Sequence, residues 1–288
     1  CDEDLRDPVE ETARPSLGAQ LWDNAIDLVR HPQRVADAAK ASAKAAGALG
    51  ELLMLPFDTP TTLRAELTGV RHAAWSHGLE LHRFKDIAHA TGGTINDVLL
   101  TVLAGALRKL LADDGNAVDE ASIRALIPVN LRPLHEIGRE LGNKFGLVFL
   151  DVPVGKADRD ARHEAVKASM MELKRSPQAV VAFGVLGAIG LAPDVIEHLA
   201  LDLFSRKASF VVTNVPGPRE RLHLTGREID HLMFWVPHPT VFGLGVSLLS
   251  YAGQVHIGVR SDTSVLEDPQ RLVDAFEAEL DAMEAGLG

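Results

Sequence analysis

Apolar residues recur along this chain at two periods, and the changes of period mark out its elements. Leu17, Leu21, Trp22, Ala25, Leu28 and Val29 fall at helical spacing. An Ala-rich stretch from Val35 to Leu55 is apolar on nearly every side and predicts a second helix lying across another surface. Pro56 and Pro60 end it, so 53–62 reads as a linker. These spans divide the chain into a helical connecting arm and linker, 1–62, and a domain, 63–288. Beyond the linker the pattern is mixed. Val70–Trp75 predicts a strand, and Leu81–Ala90 a helix closed by Gly92 and Gly93. Thr94–Asp113 predicts a longer helix, with Gly115 as its stop. Thr94 suits the N-cap, and Asp97 completes a capping box at the positive helix end. Ile123–Val129 and Leu147–Val152 read as strands, and Ala157–Arg175 as a polar-faced helix. Ser209–Val212 is a short β-branched run that predicts a buried strand. Val241–Leu249 and Val255–Val259 form a hairpin around Ala252-Gly253, and Asp268-Pro269 opens a last helix. Helices and strands alternate without βαβ regularity. The expected fold class is therefore α/β in the broad, α+β sense, with helices packed on a mixed sheet.

Two segments stand out. The strand at 209–212 runs into Thr213-Asn214-Val215-Pro216-Gly217-Pro218. Each proline fixes φ and lacks an N–H, so neither is expected to continue a central ladder. Asn214 is left at a rigid corner, which serves either as a structural turn or as the wall of a site. Ala179–Ala192 is apolar and uncharged over fourteen residues, too few for a bilayer-spanning helix of about twenty. Gly184, Gly187 and Gly190 share one side of it. It reads as a buried core helix, with the wall of a lipid tunnel or an interfacial helix as alternatives.

Composition narrows the classes. At 288 residues the chain is long enough for one large core or two smaller ones. A net charge of −11 excludes nucleic acid as the main partner, because phosphate binding needs a basic surface. The single cysteine, Cys1, forms no internal disulfide, which is consistent with a reducing, cytoplasmic setting. The acidic opening from Cys1 to Glu11 has no signal-peptide pattern, and the chain is expected to be a piece of a longer protein.

Asn96 is the best chemical candidate. It lies in the first turn of a predicted helix, where free N–H groups and the helix dipole favour negative charge, and its amide adds a donor. Ordinary helix-start chemistry explains the same residue. There are twelve histidines. His72 and His77 flank Trp75, His82 and His89 share a helical face, and the others are scattered without a catalytic or metal-binding set. HExxH, Gly-x-Ser-x-Gly and a Cys/His cluster are absent, and Gly243-Leu244-Gly245 lies in a strand pattern rather than at a strand-to-helix turn.

Five motifs, taken in order, resemble the bacterial wax ester synthase/diacylglycerol acyltransferase (WS/DGAT) family. Thr94-Ile95-Asn96-Asp97-Val98-Leu99-Leu100 is similar to its Asn-Asp motif, and Ile127-Pro128-Val129-Asn130-Leu131-Arg132 to its PVxxR strand end. Leu141-Gly142-Asn143-Lys144-Phe145 resembles its Gly-Asn motif, Asn214-Val215-Pro216-Gly217-Pro218 its NVPGP segment, and Gly243–Asp262, with Ser247, its C-terminal hairpin. The resemblance runs from about Pro56 to the end. The family's hallmark HHxxxDG is missing, and neither His72 nor His77 fits it.

The resemblance implies the C-terminal half of a chloramphenicol acetyltransferase-like fold, with the site between two α/β halves. It implies an acyl-CoA-dependent O-acyltransferase acting on diacylglycerol or a fatty alcohol, whose general-base histidine comes from an N-terminal half carrying HHxxxDG. No bound cofactor and no metal are expected, since acyl-CoA enters as a substrate. Association is expected to be peripheral, at a membrane or lipid-droplet surface. Asn96 and Asp97 are the implied catalytic groups. Asn130, Arg132, Asn143, Arg206, Lys207, Asn214, Pro216, Gly217 and Ser247 are the implied substrate contacts. Arg132, Arg206 and Lys207 are offered to CoA phosphates, although each also reads as a solvated surface charge. A related acyltransferase with another acceptor, and a non-catalytic lipid-binding or scaffold protein, are the alternative readings.

Overall fold

The computed structural model describes residues 50, 54–119, 121–130, 145–176, 205–237 and 241–287. The helix expected over 17–29, most of the one over 35–55, and the apolar stretch 179–192 lie outside the described residues. Apart from Gly50, the described residues belong to the unit Glu51–Gly288.

Among the described residues, seven strands form one sheet: β1 (Arg71–Trp75), β2 (Leu79–Glu80), β3 (Ile123–Asn130), β4 (Phe145–Val152), β5 (Phe210–Pro216), β8 (Leu244–Tyr251) and β9 (Gln254–Asp262). The order is β1-β9-β8-β5-β3-β4, with β2 also paired to β9. β3 is parallel to β5 and β5 to β8, and the other pairs are antiparallel, so the sheet is mixed as expected. A separate short hairpin joins β6 (His223–Leu224) to β7 (Arg227–Glu228).

Among the described residues, four helices accompany the sheet: α1 (Leu81–Ala90), α2 (Ile95–Asp113), α3 (Arg159–Arg175) and α4 (Gln270–Ala285). α2 packs against all three others. Its residues Asp97–Leu107 are all buried, which suits a helix apolar on most sides and surrounded by protein. The strands alternate as a two-faced sheet requires. Phe210, Val212, Leu244, Val246, Leu248, Val255, Ile257 and Val259 join the helices in the main core. Leu126, Phe149 and Val211 point the other way and form a smaller cluster with Val236 and Phe242. Each such side chain contributes about 1.5–3 kcal/mol on burial.

β5 corrects one expectation. It does not stop before Asn214. Its parallel pairing with β8 continues from Val211↔Gly245 to Pro216↔Ser250. The proline is tolerated because β3 pairs with β5 only at Ala125↔Phe210 and Leu126↔Val211. Beyond Val211 no strand among the described residues pairs with that edge of β5, and Pro216 sits where an edge proline is allowed.

The stretch expected as a linker is tied down. The buried Asp58 carboxylate accepts from Arg124 N (2.9 Å), Ser209 Oγ (2.6 Å) and Thr59 N (2.9 Å). Burial raises its pKa, and the Ser209 and backbone hydrogen bonds work against that rise. Arg124 donates to Pro56 O at 3.0 Å and Lys207 O at 2.9 Å, and pairs with Asp151 at 2.8 Å. The linker is thereby fastened to the first residues of β3 and to the lead-in of β5.

Asp262 fastens the far end of the sheet. It accepts from Thr68 N (3.0 Å), Thr68 Oγ1 (2.9 Å), Gly69 N (2.8 Å), Ser264 N (3.1 Å) and Ser264 Oγ (2.8 Å). Burial alone would raise its pKa, but the bonds from Ser264 and Thr68 together outweigh it and hold the carboxyl well below the usual aspartate range. A carboxylate with a depressed folded-state pKa stabilises above its unfolded value and loses that contribution as pH falls. Asp262→Ala is expected to lower unfolding stability by about 2 kcal/mol or more at pH 7, read from urea denaturation. The gap from wild type should shrink below about pH 4, where the unfolded-state aspartate becomes protonated. An equal gap at pH 7 and pH 3 would contradict this account.

Candidate functional site

The site is assembled at the first turn of α2. Gly92 turns the chain at φ 62°, and a capping box then starts the helix. Thr94 Oγ1 accepts from Asp97 N at 3.3 Å, while Asp97 Oδ2 accepts from Thr94 N at 2.8 Å and from the Thr94 hydroxyl at 2.7 Å. Asp97, expected beside Asn96 as a catalytic group, is buried in this box, and the adjoining cavity is lined by Thr94, Ile95, Asn96 and Leu99 instead. Its part is to set where the helix begins.

Asn96 faces β5. Asn214 Nδ2 donates to Asn96 Oδ1 at 3.0 Å across a separation of 118 residues. This bond uses the Asn96 carbonyl, and among the described residues its amide N–H groups have only a weak contact, 3.9 Å, to Met170 Sδ. The pair stands between two cavities and is the only pair of residues lining both, among the described residues. One is a cleft of about 730 Å³ bordered by Lys85, Gly217, Arg219 and the β8–β9 turn. The other is a pouch of about 390 Å³ lined by Leu100, Ile127, Val148, Met170, Leu173 and Val212. A cleft edged by two cationic side chains and an apolar pouch thus meet at two primary amides and a helix N-terminus, which suits a substrate with a polar reacting centre and an alkyl tail.

The Pro216–Gly217–Pro218 corner forms one wall of the cleft. Gly217 N donates to Ser250 O at 2.9 Å, and Ala252 N to Pro218 O at 3.0 Å. The corner is therefore both structural and part of the cavity lining. The β8–β9 turn has positive φ at Ala252 (47°) and Gly253 (82°), as a two-residue hairpin turn needs.

Other expected contacts fall elsewhere. Arg206 and Lys207 precede β5, and its Asn214–Gly217 end lies roughly 20 Å away at strand rise. Lys207 is neither a surface charge nor open to a phosphate: it is 2% exposed and its ammonium donates to Leu55 O at 2.5 Å. Burial, followed by the Arg124 charge, lowers its pKa. Arg206 is exposed, with its guanidinium 6.0 Å over the Phe57 ring. Ser247 is fully buried, and its Oγ accepts from Val236 N at 3.0 Å, pinning the segment that covers the second sheet face. Asn130 is exposed at the end of β3, opposite Phe145. Arg132 and Asn143 lie outside the described residues. Lys85, Arg219 and Met170 are cavity residues the sequence did not single out. Arg219, directly after the Pro-Gly-Pro turn, carried a readable signal, whereas Lys85 and Met170 carried none. Among the described residues no three His, Cys, Asp or Glu side chains form a metal-binding group.

The architecture is one α/β half of the chloramphenicol acetyltransferase-like kind. The structure is similar to the wax ester synthase/diacylglycerol acyltransferase of Marinobacter aquaeolei VT8, with TM-score 0.61 and 23% identity, covering 87% of this chain and 56% of that one. The WS/DGAT C-terminal domain profile matches residues 141–284, and the chain belongs to that family. Over 288 residues it is 28% identical to a Mycobacterium tuberculosis protein named as a probable diacylglycerol O-acyltransferase, tgs2, covering 98% of this chain and 62% of that protein. Over 234 residues it is 25% identical to the O-acyltransferase WSD of Acinetobacter baylyi, covering 79% of this chain and 50% of that protein. The chain thus spans between half and two thirds of the length of these relatives.

A Cβ at Gly217 would lie 2.4 Å from Ser250 O, a backbone atom that cannot swing aside. Gly217→Ala is expected to push the corner off β8 and cost about 1–3 kcal/mol, measured by urea unfolding. Unchanged stability would show that the corner is free to move.

Proposed function

We propose that this chain forms the C-terminal part of an O-acyltransferase that moves an acyl group from acyl-CoA to diacylglycerol or a fatty alcohol. The product is triacylglycerol or a wax ester, and the general-base histidine comes from an N-terminal half carrying HHxxxDG. The observation that carries this reading is the 3.0 Å bond joining Asn96 of the Asn-Asp motif to Asn214 of the NVPGP segment, where cleft meets pouch.

The chemistry follows from that placement. The histidine takes the alcohol proton, and the oxygen adds to the thioester carbonyl. The tetrahedral oxyanion collapses, the carbon–sulfur bond breaks, and CoA thiolate leaves and recovers the proton from the imidazolium. General-base help contributes roughly 10²–10⁴ in rate. The Asn96 amide and the free N–H groups of the α2 start stabilise the oxyanion, and one such donor is worth on the order of 10²–10³. The pouch takes an alkyl chain. Lys85 and Arg219 at the cleft replace Arg206 and Lys207 as the contacts offered to CoA phosphates. No bound cofactor or metal enters this scheme. Apolar substrates reach the cleft from a membrane or lipid-droplet surface by peripheral contact on the cytoplasmic side, and no helix among the described residues is long and apolar enough to cross a membrane.

Two measurements test the reading in the enzyme that includes the HHxxxDG half. Asn96→Ala should lower turnover at least about tenfold with the circular dichroism spectrum intact. Wild-type turnover would remove Asn96 from this role. Met170→Trp should fill the pouch and shift kcat/KM toward shorter chains by on the order of tenfold. An unaltered chain-length profile would place the alkyl chain elsewhere.

A further inference from the structure

His163 projects from α3 onto α2 and is 2% exposed. Its Nδ1 lies 2.9 Å from Thr101 Oγ1. That hydroxyl has one hydrogen, which it donates to the Asp97 carbonyl oxygen at 2.7 Å, a group that can only accept. The threonine oxygen must therefore accept from the ring. Nδ1 carries the proton, and in the uncharged imidazole Nε2 is a bare lone pair. Among the described residues neither Nε2 nor Asp97 Oδ1 has a hydrogen-bond partner, and both atoms are buried. Nε2 borders a small space at Gly93, where a Cβ would lie 2.8 Å from Nε2 and 3.6 Å from Asp97 Cβ. Glycine at this position is what admits the edge of the ring.

The charged groups around the ring are Asp97 on α2 and Asp160, Glu164 and Lys167 on α3. Burial, followed by Lys167, holds the imidazole below its ordinary titration range against the three carboxylates. The ring is therefore uncharged at neutral pH. Its protonated form would make Nε2 a second donor, with no acceptor in hydrogen-bond range among the described residues.

We propose that His163 is a positioning residue for the Asn96–Asp97 helix start. Through Thr101, and across Gly93 toward Asp97, it holds the first turn of α2 and so keeps the Asn96 amide in register with Asn214. The consequence for turnover rests on the acyltransferase reading, whereas the contact network does not.

The test is nitrogen-15 NMR on this chain, with the His163 ring signals identified by their loss in His163→Asn. The expected result is a protonated Nδ1 and a bare Nε2 at pH 7.5. In Asp97→Asn the His163 titration midpoint should fall by at least about half a pH unit, because the neighbouring negative charge is gone. His163→Leu should shift the side-chain amide signals of Asn96 and Asn214. His163→Asn, whose amide can replace Nδ1–H, should return them toward wild type. Protonation at Nε2, a midpoint indifferent to Asp97→Asn, or Asn96 and Asn214 signals untouched by His163→Leu would each overturn the proposal. Should His163→Leu not fold, the ring signals and the Asp97→Asn arm decide it. In the enzyme with its HHxxxDG half, His163→Leu should lower kcat on the order of tenfold with KM within about twofold, and His163→Asn should recover most of the loss. Equal losses in both variants would overturn the positioning role. Absence of acyl transfer in the wild-type enzyme would instead defeat the acyltransferase reading and leave the NMR result standing.

Discussion

The start of α2 is the constraint on which the rest of the site depends. Because this helix is buried on nearly every side, its first turn has one position, and the Thr94–Asp97 capping box defines where that turn begins. Two residues after the Thr94 cap, Asn96 meets Asn214 from β5. A slip of one residue in the helix start would rotate Asn96 by about 100° and remove it from the junction of cleft and pouch.

β5 divides structural from chemical work along its length. At its beginning, Asp58, Arg124 and Lys207 fasten the preceding segment to the sheet by hydrogen bonds between their charged side chains and the backbone. At its end, β8 alone among the described strands pairs with it, and the exposed edge leaves room for Asn214 and a proline-flanked corner. Buried charges need partners, so the first end is filled by its own network. The second end retains amide groups that a ligand can use. Cationic residues near β5 were therefore poor guides to the site, because the strand's length separates Lys207 from Asn214.

Local patterns in the sequence carried much of the fold. The Leu81–Ala90 helix and the capping box at Thr94 and Asp97 rest on contacts within a few residues, and so does the Ala252-Gly253 hairpin turn, so spacing alone revealed them. The continuation of β5 through Pro216 was not legible, because it depends on β3 parting from β5 after Leu126 while β8 stays paired. Asn96 and Asn214 were legible as separate candidates through their motifs. Their hydrogen bond, the burial of Asp97 and Ser247, and the approach of His163 to Gly93 depend on tertiary contacts between distant segments, which periodicity does not encode.

Asn96 and Asn214 are expected to act as one unit. In the proposed enzyme with an HHxxxDG half, a double-mutant cycle on kcat/KM decides it. If the pair is a unit, Asn96→Ala combined with Asn214→Ala should be no worse than the more damaging single variant, within about twofold. Losses that multiply would show two independent residues and contradict the account.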